Sequence, residues 1–219
     1  MNLGKAFTFV FDDENWIVKV LIGGVLSLIP IVGQILVFGY AIEVMKNVMR
    51  GASDPLPEWD DWGAKLVNGI MYFVISIVYA LPIILLGVCF GLLMSLTGAA
   101  EAEEAATVLG SLGGICYGGF ALVYGIFLAL ALPAALGRYL ETGELGAAFR
   151  FADVWALVRA NIGGWLIALV LSWLAGLVAG LGVILCFVGV LFTSFWSTLV
   201  MTYLWGDAYR EASAGAALV

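Results

Sequence analysis

A carboxylate inside an apolar helix is costly in lipid, and where one occurs it often marks an ion or proton path. Glu43 is the candidate here, standing in the apolar run that ends at Arg50. Lys46 follows one turn later, and Arg50 is only about 10 Å further along by helical rise. The spacing therefore favours an interfacial Glu43–Lys46 pair over a proton path. Glu58, Asp60 and Asp61 form a denser acidic group of the kind that can hold a hard cation. They also stand where a helix begins, and negative charge is favoured there, so no metal site is assigned. Gln34 follows a break at Pro30 to Gly33, and its amide could satisfy backbone groups freed at a midplane turn. Thr193, Ser194, Ser197 and Thr198 are spaced to line a polar path or to bond back to their own helix. The sequence has no histidine, which removes the commonest general base and metal ligand. Cys89, Cys116 and Cys186 each sit in an apolar run without metal-ligand spacing. No catalytic residues and no cofactor are expected.

The elements that carry these side chains must live in lipid. Of 219 residues, 63% are hydrophobic and 11% charged, against roughly 25% charged in a soluble domain. Several uncharged runs reach the ~18 residues that mark a spanning helix. The net charge of −7 comes with no basic cluster, so nucleic acid is not an expected partner. The partners expected are the bilayer and its anionic headgroups. Residues 1 to 15 lack the pattern of a cleaved leader.

The runs share an opening. Trp16, Lys19 and Gly23 read W-x-x-K-x-x-x-G; Trp62, Lys65 and Gly69 repeat it; Trp155, Arg159 and Gly163 give a looser copy. Acidic residues precede each one: Asp12 and Asp13, Asp60 and Asp61, Asp153. The aromatic residues, with Trp59, read as belt anchors at headgroup level. Lys19, Lys65 and Arg159 sit near helix starts, where the dipole disfavours them, so they are expected to snorkel to headgroups.

In chain order, residues 2 to 15 read as a helix on the membrane, with Phe7, Val10 and Phe11 on one face and Asn15 capping the next helix. Residues 16 to 50 admit two readings, one long bent helix or a hairpin turning at Pro30 to Gly33. The leg from Trp16 to Ile29 rises only about 21 Å, short of a core of about 30 Å. Residues 51 to 57 are a loop, and Glu58 to Trp62 start a short interfacial helix. Gly69 to Leu96 and Val108 to Leu136 are spans, the first carrying Pro82. Gly110, Gly114 and Gly118 form a small-residue stripe for helix packing, within the chain or in a homo-oligomer. Arg138 to Asn161 reads as a third interfacial segment, with Leu145, Phe149, Ala152 and Ala156 on its apolar side and Arg150 beside Asp153 on the other. Ile162 to Gly180 and Val183 to Trp205 are further spans, and 213–219 is a short tail.

The fold class that follows is all-α, a polytopic transmembrane bundle of five to six membrane segments with three interfacial amphipathic helices. Three units of interfacial helix plus helical hairpin fit residues 2–50, 57–140 and 145–212. If every unit enters and leaves on one side, all nine Lys and Arg fall there. The positive-inside rule then puts both termini in the cytoplasm of a multi-pass cell-membrane protein.

Tyr40 to Gly51, followed by Asp54-Pro55-Leu56-Pro57-Glu58-Trp59-Asp60-Asp61-Trp62, resembles a prokaryotic membrane family catalogued as domain of unknown function 4013. The Phe-rich N-terminal segment, the Leu28 to Gly33 turn and Phe149 to Asn161 fit the same pattern. The resemblance carries no activity or ligand with it. Two functional classes follow from the residues: a membrane scaffold that docks lipid or partners, and a small transporter or channel built on the Pro30–Gly33 turn. Scarce intramembrane polar groups favour the scaffold.

Overall fold

The computed structural model describes residues 3–99, 103–185 and 188–216. Residue 2, Glu101, Cys186 and residues 217–219 of the tail lie outside them. Helix α1 (Leu3–Thr8) runs through a 3-10 turn, Phe9–Asp12, toward α2 (Trp16–Leu26) and α3 (Val32–Met49). Helices α4 (Trp62–Ala99) and α5 (Glu103–Thr142) follow, then a second 3-10 turn, Leu145–Phe149, and α6 (Phe151–Ala160). Helix α7 (Ile162–Gly180), a third 3-10 turn, Leu181–Leu185, and α8 (Val188–Ala216) complete an all-helical chain among the described residues. Lipid offers the backbone no hydrogen bonds, so long apolar runs satisfy their own within helices.

Three stretches among the described residues are long and apolar enough to cross a membrane: Trp62–Leu96, Thr107–Thr142 and Ile162–Ile184. Only 11%, 33% and 22% of their most apolar windows are buried inside the protein. Their outer faces present Ile77, Leu85, Leu92, Leu122, Val123, Val170 and Trp173, a surface made for acyl chains rather than water. Helices α3 and α8 form the interior instead. Tyr40, Ala41, Val44 and Met45 of α3 are wholly buried, as are Leu199, Val200, Ala208 and Ala212 of α8.

Backbone-close crossings set the geometry. A Cβ at Gly39 of α3 would fall on the carbonyl of Lys65, and one at Gly69 of α4 on the carbonyl of Ile35. Small residues on both sides let the helices touch main chain to main chain. The pairs Gly39–Lys65 and Ile35–Gly69 also fix α3 antiparallel to α4. A Cβ at Gly206 of α8 would come within 2.8 Å of the Met45 carbonyl, a looser but still close approach that seats α8 beside α3.

Residues 16 to 50 are a helical hairpin, not one bent helix. Gln34 Nε2 donates to the Ser27 carbonyl at 3.0 Å across the turn. Ile31 sits in that turn at φ 64°, a left-handed conformation that β-branched residues rarely adopt. Trp16 and Arg50 therefore stand at the same end of the bundle. Because Ile35 meets Gly69 and Phe38 stacks on Tyr72 at 4.5 Å, the turn stands level with the third or fourth turn of α4. Helix α4 runs on to Ala99, roughly 35 Å further at ~1.5 Å per residue. The first hairpin thus stops well short of the α4–α5 tip. In that second hairpin Phe90 stacks on Tyr117 at 6.0 Å, and Tyr124 Oη donates to the Tyr79 carbonyl at 2.8 Å. The second bond falls in the turn that Pro82 interrupts, where ring sterics weaken the helix's own bonding.

Several local expectations are corrected. The buried face of the first segment is Ala6, Phe9 and Val10, docked on α8 with Phe9 4.8 Å from Tyr203; Phe11 is half exposed. Asn15 makes no side-chain cap. Residues 58 to 61 are not helical: they form an irregular stretch with a bend at Trp59 after two prolines, and Asp61 caps α4 through the Ala64 N–H at 2.9 Å. The buried stripe of α6 is Val154, Leu157 and Val158, while Ala152 and Ala156 are exposed. Helix α8 starts at Val188, later than expected, because the 3-10 turn extends the reversal.

Gly39→Ala is expected to push α3 off α4 and to cost about 1–3 kcal/mol, as overpacking does. Gly114→Ala, with nothing within 4 Å of the added carbon, should be neutral or slightly stabilising. Thermal melts in detergent check the pair; equal melting temperatures would rule out the close crossing.

Candidate functional site

The loop between α3 and α4 organises the charged end of the bundle. Pro55 and Pro57 keep it out of helix, and α3 ties it down by its carbonyls. Asn47 Nδ2 donates to the Pro55 carbonyl at 3.1 Å and Tyr40 Oη to that of Pro57 at 2.7 Å. Lys5 Nζ reaches the Ser53 carbonyl at 3.3 Å, and Leu56 is buried. The loop then drops Trp59 onto Tyr40, with ring centroids 4.2 Å apart and planes 20° apart. Trp59 Nε1 donates to the Lys19 carbonyl at 3.0 Å, which couples the loop to α2.

Trp59 divides two acidic neighbours between two buried lysines. Glu58 meets Lys19 at 2.7 Å, and Asp13 completes that site at 2.5 Å; Lys19 is 3% exposed. Asp60 faces Lys65 at 3.6 Å, and Glu43 lies 3.0 Å from the same nitrogen; Lys65 is fully buried. Neither the Lys65 ammonium nor Glu43 Oε2 makes a directed hydrogen bond to the other. Their attraction is coulombic, with the Tyr40 ring 5.8 Å away contributing a cation–π term. Each ammonium is thus compensated by two carboxylates, the arrangement a charge needs where water is scarce. The Asp60 carboxyl is held below its ordinary range, first by the Asp61 backbone N–H at 2.8 Å, then by its own backbone N–H, and less by Lys65. A depressed carboxyl lends its stability above the unfolded-state pKa and loses it as pH falls through the folded one.

A second cluster joins α5, α6 and α8. Arg138 contacts Glu141 at 3.1 Å and Asp153 at 3.5 Å, and Tyr209 Oη donates to Glu141 at 2.6 Å. Arg210 pairs with Asp207 at 2.5 Å, and Asn161 Nδ2 donates to Glu211 at 3.3 Å. Lys65 begins α4 and Arg138 ends α5, so both clusters lie at one end of the antiparallel pair.

The expected site residues fall as follows. Lys19 and Lys65, expected to reach headgroups, are buried and held by carboxylates of their own chain. Glu43 pairs with Lys65 rather than Lys46, because the Gly39–Gly69 crossing brings α4 closer than the next turn of α3. Trp59 is a bonded, stacked element of the site and not a free belt residue. Trp16 packs edge-on against Phe11 at 4.9 Å, and Trp62 is 44% exposed beside Trp59. Arg159 lies over the Trp155 ring at 5.4 Å. Asp153 turns to Arg138, not Arg150. Pro30, Gly33 and Gln34 form the hairpin turn, and Gln34 lines a cavity of about 230 Å³ with Ser27, Ser194 and Thr198. Gly110 contacts Met94, but Gly114 and Gly118 face open space, so the stripe is not a packing seam within the chain. Among the described residues no three metal-ligating side chains converge. Sequence reasoning missed Tyr40, whose position one turn before Glu43 was the available signal, and Tyr209.

With this geometry in place, the family model Protein of unknown function (DUF4013) matches residues 22–188. The chain belongs to the DUF4013 family. The matched span holds Lys19's partner Glu58, the Tyr40–Trp59 stack, Lys65 and Glu43. No curated protein and no solved structure matches the DUF4013 chain.

Lys65→Met strands Glu43 and should destabilise the protein by about 3 kcal/mol or more, as breaking a buried pair does. The double variant Lys65→Met with Glu43→Leu should recover most of that loss. A double-mutant cycle by thermal or denaturant melts reads the coupling, and strict additivity would sink the pair.

Proposed function

We propose that this DUF4013 member is a multi-pass protein of the cell membrane, with both termini cytoplasmic, that works without catalysis. In this reading the end that gathers its Lys and Arg rests on the cytoplasmic leaflet and docks lipid or a membrane-protein partner through the cations that its own carboxylates leave free. The observation that carries the reading is the asymmetry of the bundle. Lys46, Arg50, Arg150 and Arg159, which no carboxylate answers among the described residues, gather where the hairpins open, while α4, α5 and α7 turn bare apolar faces outward. Anionic leaflets attract basic groups by roughly 1 kcal/mol per side chain near the surface, and basic ends stay cytoplasmic. The lack of histidine supports a non-enzymatic role.

The same reading takes the chain as three variants of one unit, 2–50, 57–140 and 145–212. Asp13 serving Lys19 and Asp60 serving Lys65 support an equivalence of the first two. In the third, Arg159 turns to Trp155 and Asp153 to Arg138, so that copy has diverged.

One observation favours a second reading, a small transporter or channel. The Gln34 cavity does gather Ser27, Ser194 and Thr198 between the short hairpin and α8. Yet Gln34 donates to Ser27 and Thr198 to the Ser194 carbonyl, so both are engaged locally. The scaffold reading is preferred.

On a background without native cysteines, Ser53→Cys should react with an impermeant thiol reagent from the cytoplasmic side only, and Ser95→Cys from the opposite side only. Val32→Cys should stay unlabelled from that opposite side; labelling there would mean that the first hairpin crosses. Liposomes holding the purified protein should pass no ion current. A reproducible current abolished by Gln34→Leu would replace the scaffold reading with the channel.

A further inference from the structure

A cavity of about 220 Å³ opens between the C-terminal ends of α3, α5 and α8. Lys46 and Arg50 line it from α3, Arg210 and Ser213 from α8, and Glu141 from α5, with Met49 and Leu140 as apolar wall. Three of its charged groups are cations. Arg210 is already answered by Asp207, and its other nitrogen reaches the Val48 carbonyl at 3.5 Å. Glu141 is answered by Arg138 and by Tyr209. Lys46 and Arg50 are different: among the described residues no carboxylate lies within ion-pair distance of either. They are four residues apart on one helix, so they share a face and repel each other. Arg150 and Arg159 also lack a carboxylate among the described residues, but both are exposed on their own; Lys46 is half-buried and meets Arg50 and Arg210 around one cavity.

We propose that this cavity binds a phosphate-bearing anion, with Lys46 and Arg50 as the principal charges and Arg210 as a third; the Ser213 hydroxyl at its rim donates to the Arg210 carbonyl at 3.0 Å. Guanidinium and ammonium groups together match a tetrahedral oxyanion, since Arg presents a planar fork and Lys a point charge. The α3 C-terminus leaves these cations comfortable without the ligand, so the site stays folded when empty. Two sources offer the same chemistry: an anionic phospholipid headgroup, whose chains would follow Met49 and Leu140, and a soluble phosphate. The inference deepens the proposed docking role and rests on it for the lipid source alone.

The test uses the full-length protein in neutral detergent, with native mass spectrometry reading bound adducts. Short-chain phosphatidylglycerol and inorganic phosphate are titrated separately, with short-chain phosphatidylcholine as the neutral control. One saturable phosphatidylglycerol site is expected, weakened about tenfold or more in Lys46→Gln with Arg50→Gln, as the loss of charge-assisted hydrogen bonds predicts. Ser213→Glu, which puts a negative charge at the rim, should weaken it in the same direction and guards against misfolding of the double variant. Saturation by phosphatidylglycerol alone assigns the lipid source; saturation by phosphate as well assigns a soluble one. Equal affinity in wild type and both variants, or no saturable binding of either probe, overturns the proposal. Alkaline carbonate extraction of membranes keeps the two readings apart: release of the wild-type chain would fail the membrane reading, while retention with unchanged binding in the variants fails the site alone.

Discussion

An ammonium ion buried among helices needs carboxylates beside it, and this chain buries two, each at a helix start where the dipole works against it. Most of the ordered structure at the charged end follows from that demand. Lys19 draws Asp13 from before its helix and Glu58 from a loop some forty residues away; Lys65 draws Asp60 from the same loop and Glu43 from α3. One loop answers both lysines because Trp59, stacked on Tyr40 and bonded to the Lys19 carbonyl, points the residues on either side of it in opposite directions. The ion pairs do not have to be strongly stabilising to have this effect. Removing the buried lysine leaves Asp13 or Glu43 without its counter-charge, so the arrangement specifies how α2, α3 and α4 meet.

Lipid imposes the complementary rule on the rest. The helices that face outward are free of charge over their middle stretches, and those that carry charge or several hydroxyls, α3 and α8, are the ones wrapped by others. Main-chain contact at Gly39 and Gly69 is what allows α3 to be both short and central. Its hairpin with α2 is too short to match α4 and α5, and its turn ends at the polar cavity that Gln34 shares with α8.

Much of this was legible in the residues. The hydrophobic runs, the Trp–Lys–Gly openings and the prolines at 30, 55 and 57 point to the right helices and the right loop. Of the acidic residues before Trp16 and Trp62, Asp13 and Asp60 are partners of the lysines that follow, in place of the expected headgroups. What could not be read is pairing across helices. Spacing along one helix favours Lys46 for Glu43, and only the glycine crossing, invisible until two helices are laid together, substitutes Lys65. The same holds for α6, where periodicity allows two stripes and packing against α5 and α8 selects Val154, Leu157 and Val158 over Ala152 and Ala156. Tyr40 looked like one more aromatic residue in an apolar run because its role depends on a tryptophan nineteen positions on.

The central claim is that Lys19 and Lys65 are closed beneath the loop by their own chain's carboxylates. Reaction of intact vesicles with a membrane-impermeant amine reagent, followed by peptide mapping of the four lysines, tests it most directly. Lys5 and Lys46 should react from one common side, and Lys19 and Lys65 should resist until the protein is unfolded. Reaction of Lys65 as fast as Lys5, or from the opposite side, would contradict the claim.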